Sequence, residues 1–396
     1  MSGIAEPTNT TRPLLSARGL VKHFAVRTGL LGRGQSIVRA VDGVDFDVHA
    51  GRTFALVGES GCGKSTVARL ITRLIEPTAG RVELGQDNLL QADAAHLRRL
   101  RGQIQLVFQD PYGSLNPRMS AGDMLAEPLR LHQVVPAAQR GARVAELLAQ
   151  VGLRAEMATR FPHEFSGGQR QRLAIARALA AQPRVIVLDE PVSALDVSIQ
   201  AQILNLLADL QKRLGLGYVF ISHDLAVVRH IATEVGVMYL GRMVEVGPAR
   251  QVLGAPRHPY SRALLAAVPQ PVPGLDLKDR EQRQLGGDVP SPLAPPPGCT
   301  VHTRCPHADA QCRTQVPQLQ DAGDGVRVAC WHWARLERQE SAESIITVHP
   351  ALARLQRAFR PSASVPASGP ATVTTGGSAP GPAAGPPSTA TPLNLS

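Results

Sequence analysis

One run constrains this chain more than any other. Gly58-Glu59-Ser60-Gly61-Cys62-Gly63-Lys64-Ser65 has the spacing G-x-x-x-x-G-K-[ST], between the apolar run FALV at 54–57 and the helix-compatible TVARLITRLI at 66–75. Glycines let the backbone curl until its N–H groups converge on an anion, and a helix starting at the loop adds its positive end. Such a loop needs a strand before it and a helix after it. In this reading Lys64 reaches the β and γ phosphates of a nucleoside triphosphate, Ser65 ligates magnesium with Thr66 beside it, and Cys62 is a small side chain inside the loop. Lys64 is one of only four lysines among 42 basic residues, the others being Lys22, Lys212 and Lys278. The other 38 basic residues are arginine, which makes a lysine directly after the loop informative: it offers a compact, mobile charge where arginine has a rigid fork.

Around the loop, short apolar runs (IQLVF at 104–108, VIVLD at 185–189, YVFIS at 218–222, VGVMYL at 235–240) alternate with helix-like stretches. Strands alternating with helices predict an α/β fold, with a largely parallel sheet covered on both faces. The 396 residues allow two or three domains at roughly 100–200 residues each. Residues 1–14 are polar and aperiodic and are expected to be disordered. Residues 15–268 read as the nucleotide-binding domain, and 269–298 as a proline- and glycine-rich lead-in to a cysteine segment ending near 333. Residues 334–396 read as a low-complexity, mostly disordered tail, whose last 36 residues carry eight prolines and no charged side chain.

No apolar run approaches the roughly 18 residues of a membrane helix, and the N-terminus lacks the basic start and apolar stretch of a signal peptide. The expected location is the cytoplasm. A formal charge of +10 fits an anionic partner, either nucleic acid or the cytoplasmic face of a membrane, and does not choose between them.

Two further runs belong with the loop. Val185-Ile186-Val187-Leu188-Asp189-Glu190 is a buried-strand pattern that delivers two carboxylates to a sheet edge, some 125 residues after Lys64. Asp189 is expected to hold magnesium, and Glu190 to polarise the attacking water, since phosphoryl transfer needs positioning and charge stabilisation more than covalent help. Phe165-Ser166-Gly167-Gly168-Gln169 precedes a helix-like run. Ser166 is a natural N-cap, and the two glycines let backbone approach an anion closely.

Taken together, these runs resemble the ATP-binding subunits of ABC transporters over about residues 15–333. The resemblance implies an ABC-type P-loop ATPase: a RecA-like core with antiparallel β and α-helical subdomains. It makes residues 58–65 the Walker A loop, Asp189 and Glu190 the end of Walker B, and Ser166, Gly167, Gly168 and Gln169 the signature. Gln109 is then the Q-loop glutamine, which senses the γ-phosphate and metal, Asp196 belongs to the D-loop, and His223 is the switch histidine. Phe24 falls where an aromatic stacks on adenine. Glu190, His223, Gln109 and Lys64 form the implied catalytic set. Such domains close head to tail, so Ser166 is expected to meet nucleotide bound by a second, identical or related, ATP-binding subunit.

QDPYGSLNPRM at 109–119, EPVSALDVSIQAQ at 190–202 and HPYSRALLAAVP at 258–269 narrow the likeness to the oligopeptide and dipeptide importer branch. This implies two membrane permease subunits, an extracytoplasmic substrate-binding protein, a peripheral position on the cytoplasmic face of the inner membrane, and no nucleic-acid partner. The groove for the permease is expected between Gln109 and Ser166, with Asn116, Pro117, Arg118 and Met119 at its lip. Nickel, glutathione or another small solute remains an alternative cargo, and nucleic-acid work by an ABC ATPase a more distant one. Cys299, Cys305, Cys312 and Cys330, spaced C-x5-C-x6-C-x17-C, lack the paired C-x2-C knuckles usual for zinc. Relatives in this branch can carry a [4Fe-4S] cluster; zinc and free thiols stay open, with His302, His307 and His332 as alternative ligands.

Overall fold

The apolar runs are buried strands, and their burial is what fixes the sheet. The computed structural model describes residues 12–28, 34–267 and 285–336. Its main sheet has eight strands in the order β11-β12-β10-β9-β3-β8-β7-β6: β3 (Thr53–Val57), β6 (Ile104–Val107), β7 (Val185–Asp189), β8 (Gly217–Ile221), β9 (Glu234–Tyr239), β10 (Arg242–Pro248), β11 (Gln320–Asp321) and β12 (Arg327–Val328). From β9 to β6 the strands are parallel, and β10, β12 and β11 continue antiparallel. Every residue of β3, β7 and β8 is buried, as expected for strands covered on both faces.

Strand residues alternate between two cores. Val185, Val187, Val219 and Ile221 face one, with Val67, Leu70 and Ile71 of helix α1 (Lys64–Ile71). Ile186, Leu188, Tyr218 and Phe220 face the other, with Leu173, Ile175 and Leu179 of a later helix. Each such side chain contributes ~1.5–3 kcal/mol when fully buried. A one-residue slip would exchange the faces, so this alternation fixes the register. A second, antiparallel sheet, order β2-β1-β4-β5, is built from β1 (Leu15–Thr28), β2 (Gly34–Val48), β4 (Ala79–Leu84) and β5 (Asp87–Asn88) and packs on the first core. Just before β1, the Leu14 N–H donates to Val48 O at 2.7 Å.

Between β6 and β7 the chain is helical: α2 (Ala94–Gln103) precedes β6, then α3 (Pro111–Ser114), α4 (Ala121–Leu131), α5 (Arg140–Gln150) and α6 (Gly167–Ala180) follow. Leu125 and Leu129 of α4, Leu147 and Leu148 of α5, and Leu173 of α6 meet in one apolar cluster. After β7 come α7 (Val197–Leu214), α8 (Leu225–Ile231), α9 (Ala249–Gly254) and α10 (Pro259–Ala266).

The expected separate extension joins the same body. β11 and β12 extend the main sheet at the β10 edge, and Glu245 of β10, fully buried, anchors the approach to α10. Its carboxylate accepts the N–H groups of Arg257 at 2.8 Å and His258 at 3.0 Å. The expected disorder of residues 1–11, the 268–284 part of the lead-in and the tail from 337 onward lie outside the described residues. Glu245→Ala leaves two buried donors unsatisfied, at ~1–3 kcal/mol each, and should lower the calorimetric unfolding midpoint far more than Glu245→Gln, which keeps one acceptor. Equal midpoints for the two variants would remove Glu245 as the anchor.

Candidate active site

Strand order assembles this site. Because β3, β8, β7 and β6 are parallel neighbours, their C-terminal ends stand in a row: Gly58 follows β3, His223 follows β8, Asp189 and Glu190 end β7, and Gln109 follows β6. Residues spread over 165 positions of sequence thus meet at one sheet edge, where open α/β sheets bind ligands.

The loop after β3 takes the curled form that its glycines permit. Gly58, Gly61 and Gly63 have φ of +152°, +79° and +108°. A Cβ on Gly63 would overlap the carbonyl oxygen of Ala40 and lie 2.8 Å from Met238 Cε, so glycine is required twice over, by conformation and by space. Lys64 is buried at the start of α1, and its ammonium donates to Gly58 O and Glu59 O, both at 2.8 Å. The Ser65 hydroxyl donates to Asp189 Oδ1 at 3.0 Å. Burial pushes the Asp189 carboxyl above the ordinary carboxylate range, the Ser65 hydrogen bond opposes the shift, and neighbouring Glu190 adds to it. A hydroxyl and a buried carboxylate in contact form the donor set of a hard divalent cation.

Glu190 is held on both oxygens. Gln109 Nε2 donates to Oε2 at 2.8 Å, and His223 Nδ1 lies 3.2 Å from Oε1. Its backbone is left-handed, φ +48°, with its N–H fixed to Ile221 O at 3.0 Å. A non-glycine residue in that region stores strain, and here the residue that carries it lines the cavity described next. These groups border a cavity of about 480 Å³, lined by Ser60 to Thr66, Gln109, Glu190 and His223, with Val38 to Ala40, Leu240, Gly241 and Pro292 completing it.

Other expected site residues lie elsewhere. Phe24 does not line the cavity; it stands opposite Val38 in the β1/β2 pair, on the same face, half-exposed beneath the Lys22 ammonium, 5.0 Å from the ring centre. Its cross-strand partner Val38 does line the cavity, one strand away from Phe24. Asp196 caps α7, accepting the Ile199 N–H at 3.0 Å and the Ser198 hydroxyl at 2.7 Å, and does not reach the cavity. Those bonds hold its carboxyl below the usual range. Glu59 points away from the cavity toward Arg304. Ser166 and Gln169 form a reciprocal capping box at the start of α6, and Gly168 lets that helix approach Ile199 of α7. None of Ser166 to Gln169 lines the cavity. Val38, Leu240, Gly241 and Pro292 were not foreseen, because an ordinary apolar or glycine residue in a strand or loop carries no sign of what faces it.

The ABC transporter family model matches residues 41–193, and that for the oligopeptide/dipeptide transporter C-terminal region matches 244–312. The dipeptide transport ATP-binding protein DppF of Haemophilus influenzae is 52% identical over 81% of this chain and 97% of its own length. The chain belongs to the ABC transporter ATP-binding family, in its oligopeptide/dipeptide branch. DppF of Escherichia coli is 51% identical, matching 81% of this chain and 94% of its own, and the oligopeptide transport ATP-binding protein AppF of Bacillus subtilis 48%, over 80% and 96%. Among solved structures, the post-hydrolysis dimer of the ATP-binding cassette MJ0796, bound to ADP and Pi, superposes with a TM-score of 0.52 at 28% identity, covering 60% of this chain and 99% of its own. In this ABC ATPase, Gly63→Ala should weaken titrated ATP-analogue binding about tenfold or more, the equivalent of ~1–3 kcal/mol of loop strain. Gly61→Ala, whose Cβ meets open space, should cost less. Parental affinity in Gly63→Ala would show that loop shape does not govern binding.

Proposed function

We propose that this chain is the ATP-hydrolysing subunit of an importer for dipeptides or oligopeptides. In this reading it works from the cytoplasmic face of the inner membrane, coupling ATP binding and hydrolysis to uptake through two permease subunits, with an extracytoplasmic binding protein delivering cargo. One observation carries the enzymatic part: Lys64, Ser65 and Glu190, the last braced by Gln109 and His223, all border one cavity, and Asp189 stands directly behind Ser65. The relatives' names, dipeptide and oligopeptide transport ATP-binding proteins, favour peptides over other cargo. No helix among the described residues is long and apolar enough to cross a membrane, in keeping with a subunit that docks on others.

The roles follow from chemistry. Lys64 would exchange two loop carbonyls for phosphate oxygens. Ser65 and Asp189, with Gln109 beside them, would hold Mg2+, which neutralises charge on the β and γ phosphates. Glu190 would accept a hydrogen bond from the attacking water, and His223 would support the charge that develops. Phe24, one strand away from Val38, would stack on adenine. The N-terminal end of α6, where the capping box takes up the Ser166 and Gln169 N–H groups and Gly167 and Gly168 lie between them, has no part in its own cavity, so a second ATP-binding subunit placed head to tail would bring it to the γ-phosphate; the MJ0796 cassette is a dimer.

A groove of about 740 Å³ fits a permease helix. Leu74, Phe108 and Leu131 are exposed there, among Arg98, Arg101 and Glu127, and Phe108 adjoins Gln109. The expected lip residues Asn116 to Met119 do not line it; its walls come from α2, α4 and β6 instead.

The cysteine segment is assigned a metal centre of structural role. Burial, helped by mutual repulsion, raises the thiol pKa of Cys299 to about 12 and of Cys330 to about 11, and those of Cys305 and Cys312 also rise. Four thiols withdrawn to different degrees from water, and sensing one another, gain from a shared cation. Among the described residues, only Asp309, Cys312 and His332 bring metal-binding atoms within 4.8 Å of one another, and no three of the cysteines do so.

Two measurements test these assignments. Glu190→Gln should keep ATP binding and accumulate as a stable dimer in light scattering, whereas Lys64→Ala should lose nucleotide; wild-type hydrolysis by both would end the active-site assignment. Anaerobically purified protein should be brown and contain iron with acid-labile sulfide. Stoichiometric zinc without iron would overturn the cluster.

A further inference from the structure

The cysteine segment reaches the phosphate loop directly. Arg304, adjacent to Cys305, places Nη1 3.1 and 3.0 Å from the two carboxylate oxygens of Glu59, across 245 residues of sequence. The arginine side chain is 11% exposed and the glutamate 30%, so the pair is partly withdrawn from water and less screened than a surface pair. The guanidinium also lies 5.9 Å from the centre of the Tyr239 ring, which packs on Tyr260 with ring centres 4.6 Å apart.

Tyr260 grips the same residue from its other side. The Glu59 N–H donates to Tyr260 Oη at 2.9 Å. This explains the His-Pro-Tyr run that opens α10. His258 caps the helix, its Nδ1 accepting the Tyr260 N–H at 3.0 Å, and burial depresses its pKa to about 3, which keeps the ring neutral and able to accept. Pro259 fills the first helical turn, where no N–H is needed. Tyr260 is then fixed with its hydroxyl at the loop. Glu59 thus has its side chain held by Arg304, its N–H held by Tyr260, and its carbonyl held by Lys64. Pro292, also from the C-terminal segment, lines the cavity itself.

We propose that Arg304 is a positioning residue for nucleotide binding: through Glu59 it sets the shape of the phosphate loop, so that ATP affinity depends on the C-terminal segment. The proposal rests on the ATP-binding reading above. When the pair is intact, the loop is held before nucleotide arrives; when it is broken, ordering the loop is charged against binding. Coupling between such sites typically amounts to ~5- to 150-fold in affinity.

The test is calorimetric titration of the full chain with a non-hydrolysable ATP analogue and Mg2+, with Lys64→Ala as the control for the site itself. Arg304→Gln and Glu59→Gln should each weaken binding by about tenfold and raise the KM for ATP more than they change kcat. The exchanged pair, Arg304→Glu with Glu59→Arg, should recover most of the loss, and Arg304→Lys part of it. Hydrogen exchange at residues 58–65 should quicken in Arg304→Gln, with the unfolding midpoint reporting any general loss of structure. Parental affinity in both single variants overturns the proposal. So does a loss that the exchanged pair fails to recover, because the effect then comes from damage to the segment. If the parental chain does not bind the analogue at all, the ATP-binding reading fails instead.

Discussion

The site depends on the burial of β7 between β8 and β6. An apolar strand covered on both faces cannot shift its register without exposing one core, and it therefore delivers Asp189 and Glu190 to a fixed height at the sheet edge. The other groups are placed relative to that edge by the neighbouring parallel strands. The chemistry is accordingly a matter of alignment, in which no residue in the row is unusual by itself and the strand order makes them a set.

Much of this was legible in the sequence, for reasons that differ by residue. The fold class and the β strands showed in apolar runs whose period and flanks follow from burial, and Lys64, Ser65, Asp189, Glu190, Gln109 and His223 fall at the ends of those runs. Local backbone chemistry was legible too: Ser166 was read as an N-cap, and it caps α6 with Gln169. Contacts between distant segments were not. Glu59 reads as part of the phosphate loop, and nothing in the sequence points to the Arg304 guanidinium that its carboxylate meets, because no periodicity links positions 245 residues apart. The groove lined by Leu74, Phe108 and Leu131 was not legible either, since a groove is a property of several packed elements and not of one run.

The C-terminal segment changes what counts as the nucleotide-binding unit. It contributes strands to the main sheet, a proline to the cavity and two anchors to the loop. Its buried polar contacts, the Glu245 carboxylate with the Arg257 and His258 N–H groups, tie it down at β10. A boundary drawn from composition near residue 268 separates stretches of different character that meet in one core, where Tyr260 and Val301 lie together.

Glu190 carries a cost within the fold. A left-handed backbone at a residue with a Cβ is worth about 1–3 kcal/mol against stability, and glycine there would relax it. Backbone strain at this position would be lower without the acid. In the hydrolytic role proposed for Glu190, the position marks a trade-off between durability and turnover, and sequence variants selected only for thermal endurance would tend to drift toward an inert ATPase.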